Sequence, residues 1–505
     1  MRTFFLSLLF PLGTLLSAAP VKLVVDAPTY PSEEVTLYRY LDAFTLRKVP
    51  IADGFTNSNG HVELTADVQG TQKVMLRIGE VGADFFLRPG QYTMRMPAPG
   101  AKEAVPISGS ARVDPLFIDL DPLDVNALES DLNERLDAFV AQDLATDQNS
   151  GMTAVAKARE GKSKLIPDTT KDRSALSTSP HWSAARVDTF AKKLQKFYAG
   201  VKDPWFQSEV EYGIAGLRIG PGTSDRELFE RYLKSRPVLY DVPEYTHFFT
   251  SFFADHLMRY PFRSETDALI NDIAAARTDS LKALLAKNDF LKDDRLNELV
   301  LITQLYAEQA NKEFSHAGIL KVLADVRDHS HYQEHRLIAA DMLWDLTTME
   351  AGTQLPPVPV RDTTGFPRNL VDLLHGPVCL LVTATGGTYG EQELAAYEKL
   401  YNEYKGYVTF ISIDLEASPT ELKTWMDAHP KRAWNWLVPG DRQRLLDQLR
   451  IRSVPSLFVL QDRQLTASPG PLPSQGLAAV LFTIKAKADE AERLKHGRGA
   501  PPPKR

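Results

Sequence analysis

Apolar and polar side chains alternate in short runs through the first hundred residues after position 20. Runs such as EVTLYRY and HVELTADV are rich in β-branched and aromatic residues. Turn signals, including Asn59-Gly60 and Pro89-Gly90, separate these runs. Strands this short, at this spacing, predict a small antiparallel β-sandwich over residues 20–113.

From residue 114 onward the apolar positions follow the period of an α-helix. In VNALESDLNERLDAFV, apolar side chains recur on one face at Val125, Leu128 and Leu132. The run YTHFFTSFFADHLMRY has aromatic residues at adjacent positions, which predicts a helix buried on much of its circumference. We therefore predict an α-helical middle domain over residues 114–351.

The pattern changes again at the segment GTQLPPVPVRDTTG, because its prolines prevent the preceding helix from continuing. We interpret residues 352–365 as a Pro-rich junction. The order strand, helix, strand, helix, strand, strand, helix follows and predicts an α/β domain over residues 366–490. The end of the chain, GRGAPPPKR, is polar and Pro-rich, so we predict a disordered tail over residues 491–505.

The first 19 residues have the pattern of a secretory signal peptide. Arg2 provides a positive start, an apolar stretch follows from Phe4 to Leu16, and small residues occupy Ser17–Ala19. We expect cleavage after Ala18 and a soluble periplasmic or extracellular protein. The net charge of −7 gives no basic excess for nucleic-acid binding, and no later stretch is apolar enough to embed the chain in a membrane.

Several segments then point to a known family. The run VCLLVTAT resembles the strand before a thioredoxin active-site loop, and GEQELAAYEKLYNEY resembles the long helix after it. LRIRSVPSLFVLQDRQ is similar to the strand that carries the family's cis-proline, here Pro455. Residues 356–490 therefore resemble the thioredoxin-like domain of secreted bacterial thiol–disulfide oxidoreductases. The preceding β and helical regions resemble domains found in front of that module.

The active-site loop departs from the family pattern. Where the family has Cys-x-x-Cys, this chain has Gly387, Thr388, Tyr389 and Gly390, and the family's preceding tryptophan is Gly386. Dithiol exchange needs one thiolate to attack and a second thiol to resolve the mixed disulfide, and glycine does neither. We expect no catalytic residue, cofactor or metal, and a binding or structural role.

The resemblance also implies where a partner would bind. Thioredoxin folds bind an extended peptide beside the cis-proline, and main-chain pairing of that kind needs no thiol. We expect an extended peptide or an exported protein as the partner. The predicted groove consists of Gly386, Gly387, Thr388, Tyr389, Gly390, Val454 and Pro455.

Two enzymatic alternatives remain open at this point. Cys379, the single cysteine, lies near the start of an apolar strand; it is either a small core residue or the nucleophile of a single-thiol oxidoreductase, with His375 nearby in sequence. His331, Glu334 and His335 match the inverted zinc-protease pattern H-x-x-E-H. The same residues also suit a solvated, charged helix start, and no third metal ligand is marked.

Overall fold

The computed structural model describes residues 19–98, 111–159, 182–220, 223–385, 388–451 and 453–497. These residues form two compact units. The first comprises residues 19–76, 83–97 and 114–343, and the second comprises residues 77–82, 98, 111–113 and 344–497. The predicted signal peptide lies outside the described residues except for Ala19.

The N-terminal region consists of β-strands with alternating burial. In HVELTADV, Val62, Leu64, Ala66 and Val68 are buried and the residues between them point away from the core, as the period of two predicts. The strands are β1 (Ala19–Asp26), β2 (Glu34–Tyr40), β3 (Lys48–Phe55), β4 (His61–Val68), β5 (Gln72–Ile78), β6 (Val81–Leu87), β7 (Gly90–Arg95), β8 (Ala111–Arg112) and β9 (Leu116–Phe117).

These strands form two sheets, with the orders β4-β1-β7-β9 and β3-β2-β5-β6-β8. The sheets approach closely where Gly54 of β3 faces β4, since a Cβ on Gly54 would lie 3.2 Å from the Leu64 side chain. The expectation of purely antiparallel pairing is wrong, because β1 and β7 are parallel, as are β6 and β8. Alternation of side chains marks a strand but carries no information about the direction of its neighbour.

Helices follow from residue 125. They are α1 (Val125–Arg159), α2 (Ala184–Phe197), α3 (Pro204–Gly216), α4 (Asp225–Tyr232), α5 (Pro243–Phe252), α6 (His256–Arg259), α7 (Pro261–Ser264), α8 (Thr266–Ala274), α9 (Thr278–Leu285), α10 (Asp294–Ala307), α11 (His316–His329) and α12 (Gln333–Thr347). The aromatic run predicted as one helix is divided between α5 and α6. Asp255, which precedes α6, has a positive φ of 53°, a left-handed conformation that a continuous right-handed helix cannot contain.

The second unit contains a seven-stranded sheet in the order β11-β10-β14-β13-β12-β15-β16. Its elements are β10 (Pro359–Asp362), β11 (Pro367–Asn369), β12 (Pro377–Thr383), α13 (Thr388–Tyr404), β13 (Thr409–Asp414), α14 (Pro419–Ala428), β14 (Asn435–Pro439), α15 (Arg442–Gln448), β15 (Ser456–Gln461), β16 (Gln464–Ala467) and α16 (Leu477–Gly497). Strands β12, β13 and β14 are parallel, whereas β15 is antiparallel to β12. These strand directions and this order give the second unit a thioredoxin-like fold.

Strand β12 is buried on both faces. Val378, Leu380 and Val382 belong to one cluster of buried apolar side chains, which includes residues of α15. Cys379 and Leu381 belong to a second cluster, which includes residues of α13 and α16. Coverage of both faces explains why β12 reads as a continuous apolar run rather than as an alternating one.

Two boundaries differ from the expectation. The Pro-rich junction at 352–365 contains β10, whose residue Val360 pairs with Pro439, so part of the junction is a sheet strand. Helix α16 continues to Gly497, beyond residue 490 where we expected the disordered tail to begin. Among the described residues, no helix combines the length and the apolar character needed to span a bilayer.

Candidate functional site

The candidate site lies at the carboxyl ends of the parallel strands β12 and β13, where β12 leads into α13. The resemblance predicts the active-site loop here. Of the predicted groove, Gly386 and Gly387 lie outside the described residues, and the backbone of Thr388, Tyr389 and Gly390 forms the start of α13. Tyr389 is exposed, with 50% of its surface accessible.

Gly390 is needed for close packing at this point. A Cβ added to Gly390 would lie 2.7 Å from the carbonyl oxygen of Ala384 and 3.4 Å from Oγ1 of Thr383. The first contact is with backbone, which cannot rotate away as a flexible side chain does. Glycine therefore lets the start of α13 approach the end of β12, and a cysteine at position 390 would require the loop to shift.

Asp414 at the end of β13 binds the backbone of the segment that follows β12. Its buried carboxylate accepts hydrogen bonds from the backbone N–H of Thr385 at 3.1 Å, of Glu416 at 2.9 Å and of Ala417 at 3.0 Å. Next to it, Oγ1 of Thr383 is buried and has no hydrogen-bond partner among the described residues. Asp414 thus ties together the segments that leave two adjacent strands.

The proline side of the predicted groove lies at the start of β15. The Val454–Pro455 peptide bond is cis. Ser456 pairs with Val382 of β12, so Pro455 lies one residue further toward the loop end of that strand. Pro455 is buried and Val454 is half-buried against the apolar cluster that contains Val382. Of the groove residues for which exposure is described, Tyr389 is the most accessible.

Cys379 lies in the middle of the core. Its exposed fraction is 0%, and the Tyr397 hydroxyl donates a hydrogen bond of 2.8 Å to its backbone carbonyl oxygen. Burial raises the pKa of the Cys379 thiol to about 12, although an interaction with Tyr397 opposes the shift. His375, the base suggested by sequence proximity, is exposed at the other end of the strand. The thiol is therefore protonated near neutral pH and shielded from a substrate.

The histidine pattern does not assemble a metal site. His335 is fully buried on α12, with Nδ1 2.8 Å from Oε1 of Glu298 and Nε2 2.7 Å from the Tyr240 hydroxyl. His331 is exposed before the helix begins, and Glu334 pairs with Arg295 at 3.1 Å. Both ring nitrogens of His335 therefore contact protein groups. Within the described ranges, no group of three or more His, Cys, Asp or Glu side chains is arranged to hold a metal ion.

Glu298, the partner of His335, is a structural carboxylate. Burial alone would raise the pKa of Glu298, but hydrogen bonds from His335, Ser330 and Lys282 together lower it to about 2. The carboxylate is consequently ionised in the folded protein and links α9, α10 and α12. This network accounts for the burial of His335 without a metal ion, whereas His331 and Glu334 of the same motif lie outside it.

Comparisons with known proteins return structures of thioredoxin type. A putative thiol-disulfide oxidoreductase from Bacteroides vulgatus is 18% identical, with a TM-score of 0.25, over 27% of this chain and 99% of that chain. A thiol:disulfide interchange protein from Bacteroides sp. is 16% identical, with a TM-score of 0.27; the match covers 30% of this chain and 100% of that chain. A thioredoxin-like protein from Bacteroides caccae is 12% identical, with a TM-score of 0.31; the match covers 46% of this chain and 86% of that chain. No family model and no curated protein matches the chain.

Sequence reasoning predicted a site at the loop and at Pro455 but missed the role of Asp414. The only signal was an acidic residue at the end of a buried strand, ISID, which does not reveal which backbone groups it binds. It also missed the demand for a small residue at Gly390. That demand comes from the distance between a helix start and a strand end, which is a tertiary property.

Proposed function

We propose that the chain is an exported, redox-inactive protein whose thioredoxin-like region binds an extended peptide or an exported protein, or acts as a structural module. One observation supports the redox inactivity in this proposal. Gly387 and Gly390 supply no thiol, and Cys379, the single cysteine, is buried with a raised pKa. Thiol–disulfide exchange requires an accessible thiolate, so the core position of Cys379 weighs against the single-thiol alternative.

The zinc-hydrolase alternative is weaker for a separate reason. A catalytic zinc site keeps three protein ligands and one open position. Here His335 is enclosed by Glu298 and Tyr240, and His331 lies in solvent, so the two imidazoles do not face one point. A purified sample with one zinc per chain that is lost on His331→Ala would restore this alternative.

An insulin-reduction assay with dithiothreitol tests the redox part of the proposal. We expect the purified protein to give the background rate, and Cys379→Ala to give the same rate, because neither chain offers an accessible thiolate. A functional thioredoxin serves as the positive control. Turnover above background that disappears in Cys379→Ala would overturn the proposal and favour the single-thiol enzyme.

Support for the binding part comes from the exposed side of the loop. Tyr389 presents an accessible aromatic ring at the start of α13, while Asp414 fixes the preceding segment through Thr385. Exposed aromatic side chains on a rigid base are frequent anchors in protein interfaces. The fold's ability to pair with an extended chain does not depend on the missing thiols.

Binding of a permanently unfolded chain tests this part. The probe is reduced, carboxymethylated α-lactalbumin, and binding is followed by fluorescence anisotropy with the full-length protein. We expect Tyr389→Ala to weaken binding about tenfold, as expected for an interface anchor. Phe482→Ala, a change at an exposed aromatic residue of α16, should leave it unchanged. No saturable binding, or equal effects of the two substitutions, would remove the groove from the proposal.

A further inference from the structure

The first compact unit contains an open cavity of about 510 Å³. Its walls come from residues 40–46 and 69–73 of the β-strand region and from residues 240–250 and 334–338 of the helical region. The volume falls within the range of roughly 300–1,000 Å³ that is usual for small-molecule sites. The cavity is separate from the thioredoxin-like sheet and belongs to a part of the chain to which the sequence assigned no function.

One part of the lining is apolar and aromatic. Tyr40, Phe44 and Leu46 contribute from the β-strand region, and Tyr240 and Leu337 contribute from the helices. Leu46 and Leu337 remain 51% and 57% exposed, which is high for leucine side chains that line a concave surface. An apolar molecule placed between them would remove this surface from water, and that burial is favourable in proportion to its area.

The polar part of the lining centres on Lys73. This side chain is half-buried, and no carboxylate among the described residues lies within 4 Å of its ammonium group. The centroid of the Tyr40 ring lies 5.8 Å from this ammonium group. Beside it, Oε1 of Gln72 is buried and has no hydrogen-bond partner among the described residues. A half-buried cation without a counter-ion is a site that an anion would stabilise.

The acidic side chains in the cavity wall do not neutralise Lys73. Asp42 accepts the backbone N–H groups of Phe44 and Thr45, each at 2.7 Å. Glu334 pairs with Arg295 at 3.1 Å. Asp241 is exposed, so water screens its charge.

Lys73 interacts electrostatically with two buried carboxyl groups, those of Glu129 and Glu209. Burial raises the pKa of Glu129 to about 8 and that of Glu209 to about 10, and the charge of Lys73 opposes both shifts. Both groups are therefore protonated and neutral near pH 7. Neither of these two carboxyl groups therefore pairs with Lys73 as a carboxylate.

We propose that this cavity binds a small organic anion with an apolar body. The anionic group pairs with the Lys73 ammonium, and the apolar body lies between Leu46 and Leu337. The proposal does not depend on the thioredoxin-like region.

Two dyes with the same apolar body test the proposal in the full-length protein. Anilinonaphthalene sulfonate carries one anionic group, and phenylnaphthylamine is its uncharged counterpart. We expect the sulfonate to bind at one site per chain, about tenfold more tightly than the uncharged dye, as is typical of one charge-assisted contact. Lys73→Gln should remove this difference by weakening the sulfonate alone. Lys193→Gln, at an exposed lysine of α2, should change neither dye.

A second variant tests where the apolar body of each dye binds. Leu337→Asn should weaken both dyes, because it removes apolar contact without touching the charge. Leu494→Asn, at a leucine of α16 with a similar exposed fraction of 63%, is the matched control and should have no effect. Equal affinity for the two dyes, retention of sulfonate binding in Lys73→Gln, or dye binding unaffected by Leu337→Asn would each overturn the proposal.

Discussion

Single residues decide what the thioredoxin-like region can do. The resemblance aligns Gly390 with the family's second cysteine, and the carbonyl oxygen of Ala384 fills the space that a Cβ at this position would take. The packing at the start of α13 therefore suits glycine, and a larger side chain at position 390 would require the backbone to move.

Gly390→Ala should lower the free energy of unfolding by about 1–2 kcal/mol. Overpacking against backbone costs about 1–3 kcal/mol, and the better helix propensity of alanine offsets part of that cost. Gly406→Ala is the matched control, because a Cβ at Gly406 meets nothing within 4 Å. Urea unfolding of the two variants provides the measurement. Equal midpoints would show that the loop relaxes freely around the added methyl group.

Cys379 gives a second prediction at this scale. Because the chain has one cysteine and it is fully buried, native protein should take up well under 0.1 N-ethylmaleimide per chain, and denatured protein about one. Intact mass spectrometry counts the adducts. Rapid labelling in native buffer would mean that the core around β12 opens, and it would revive the single-thiol enzyme.

At the scale of elements, periodicity predicted the helices and strands that bury only one face. β4 faces the core on one side only, so HVELTADV shows a clear alternation, and α1 buries Val125, Leu128 and Leu132 along one stripe. The sequence missed β10 because its prolines suggested a linker; Pro359 is tolerated as the first residue of that strand. Helix α15 was missed because seven residues are too few for a clear helical period.

The helices α1, α3 and α5 meet at a carboxyl cluster that no periodicity predicts. Glu129, Glu209 and Glu244 come from these three helices. Burial is the main cause that raises the pKa values of Glu129 and Glu209; repulsion from Glu244 adds to both shifts, and repulsion from Glu129 adds to that of Glu209. Lys73 opposes both shifts. In sequence each glutamate looks like an ordinary solvated helix residue, so only their convergence in the fold reveals the cluster.

This cluster predicts that stability declines as pH rises. A carboxyl group whose pKa is higher in the folded state holds its proton there, while the unfolded chain releases it. The stabilisation is fully present below about pH 4.5 and is lost as pH rises through about 8 for Glu129 and about 10 for Glu209. The slope contributed by each group is at most about 1.4 kcal/mol per pH unit.

Urea unfolding between pH 5 and pH 9 checks this prediction. We expect Glu129→Gln to flatten the decline and to be more stable than the parent protein at the alkaline end. Glu134→Gln, at an exposed position of the same helix, should keep the parent profile. A stability that rises with pH over this interval would contradict the assignment of these groups as protonated in the fold.

At the scale of the whole molecule, the two proposed sites differ in whether the sequence alone can predict them. The proposed loop site lies between one strand and one helix that are adjacent in the chain, so a local resemblance is enough to predict it. The cavity around Lys73 draws on four segments separated by up to roughly 300 residues, and none of them has a recognisable motif. Sequence patterns locate sites built from neighbouring segments, whereas sites built from distant segments require the fold.

Export is the last prediction and concerns the whole chain. Arg2, the apolar stretch and the small residues up to Ala19 motivate it. Strand β1 begins at Ala19, where Ala19 pairs with Val68, so cleavage after Ala18 would leave the ladder between β1 and β4 complete. We expect the mature protein to start near Ala19 and to be recovered in the soluble extracytoplasmic fraction. N-terminal sequencing together with the intact mass decides the question. An intact Met1 in the folded product would contradict export, and a start several residues beyond Ala19 would show that β1 forms without its first ladder pairs.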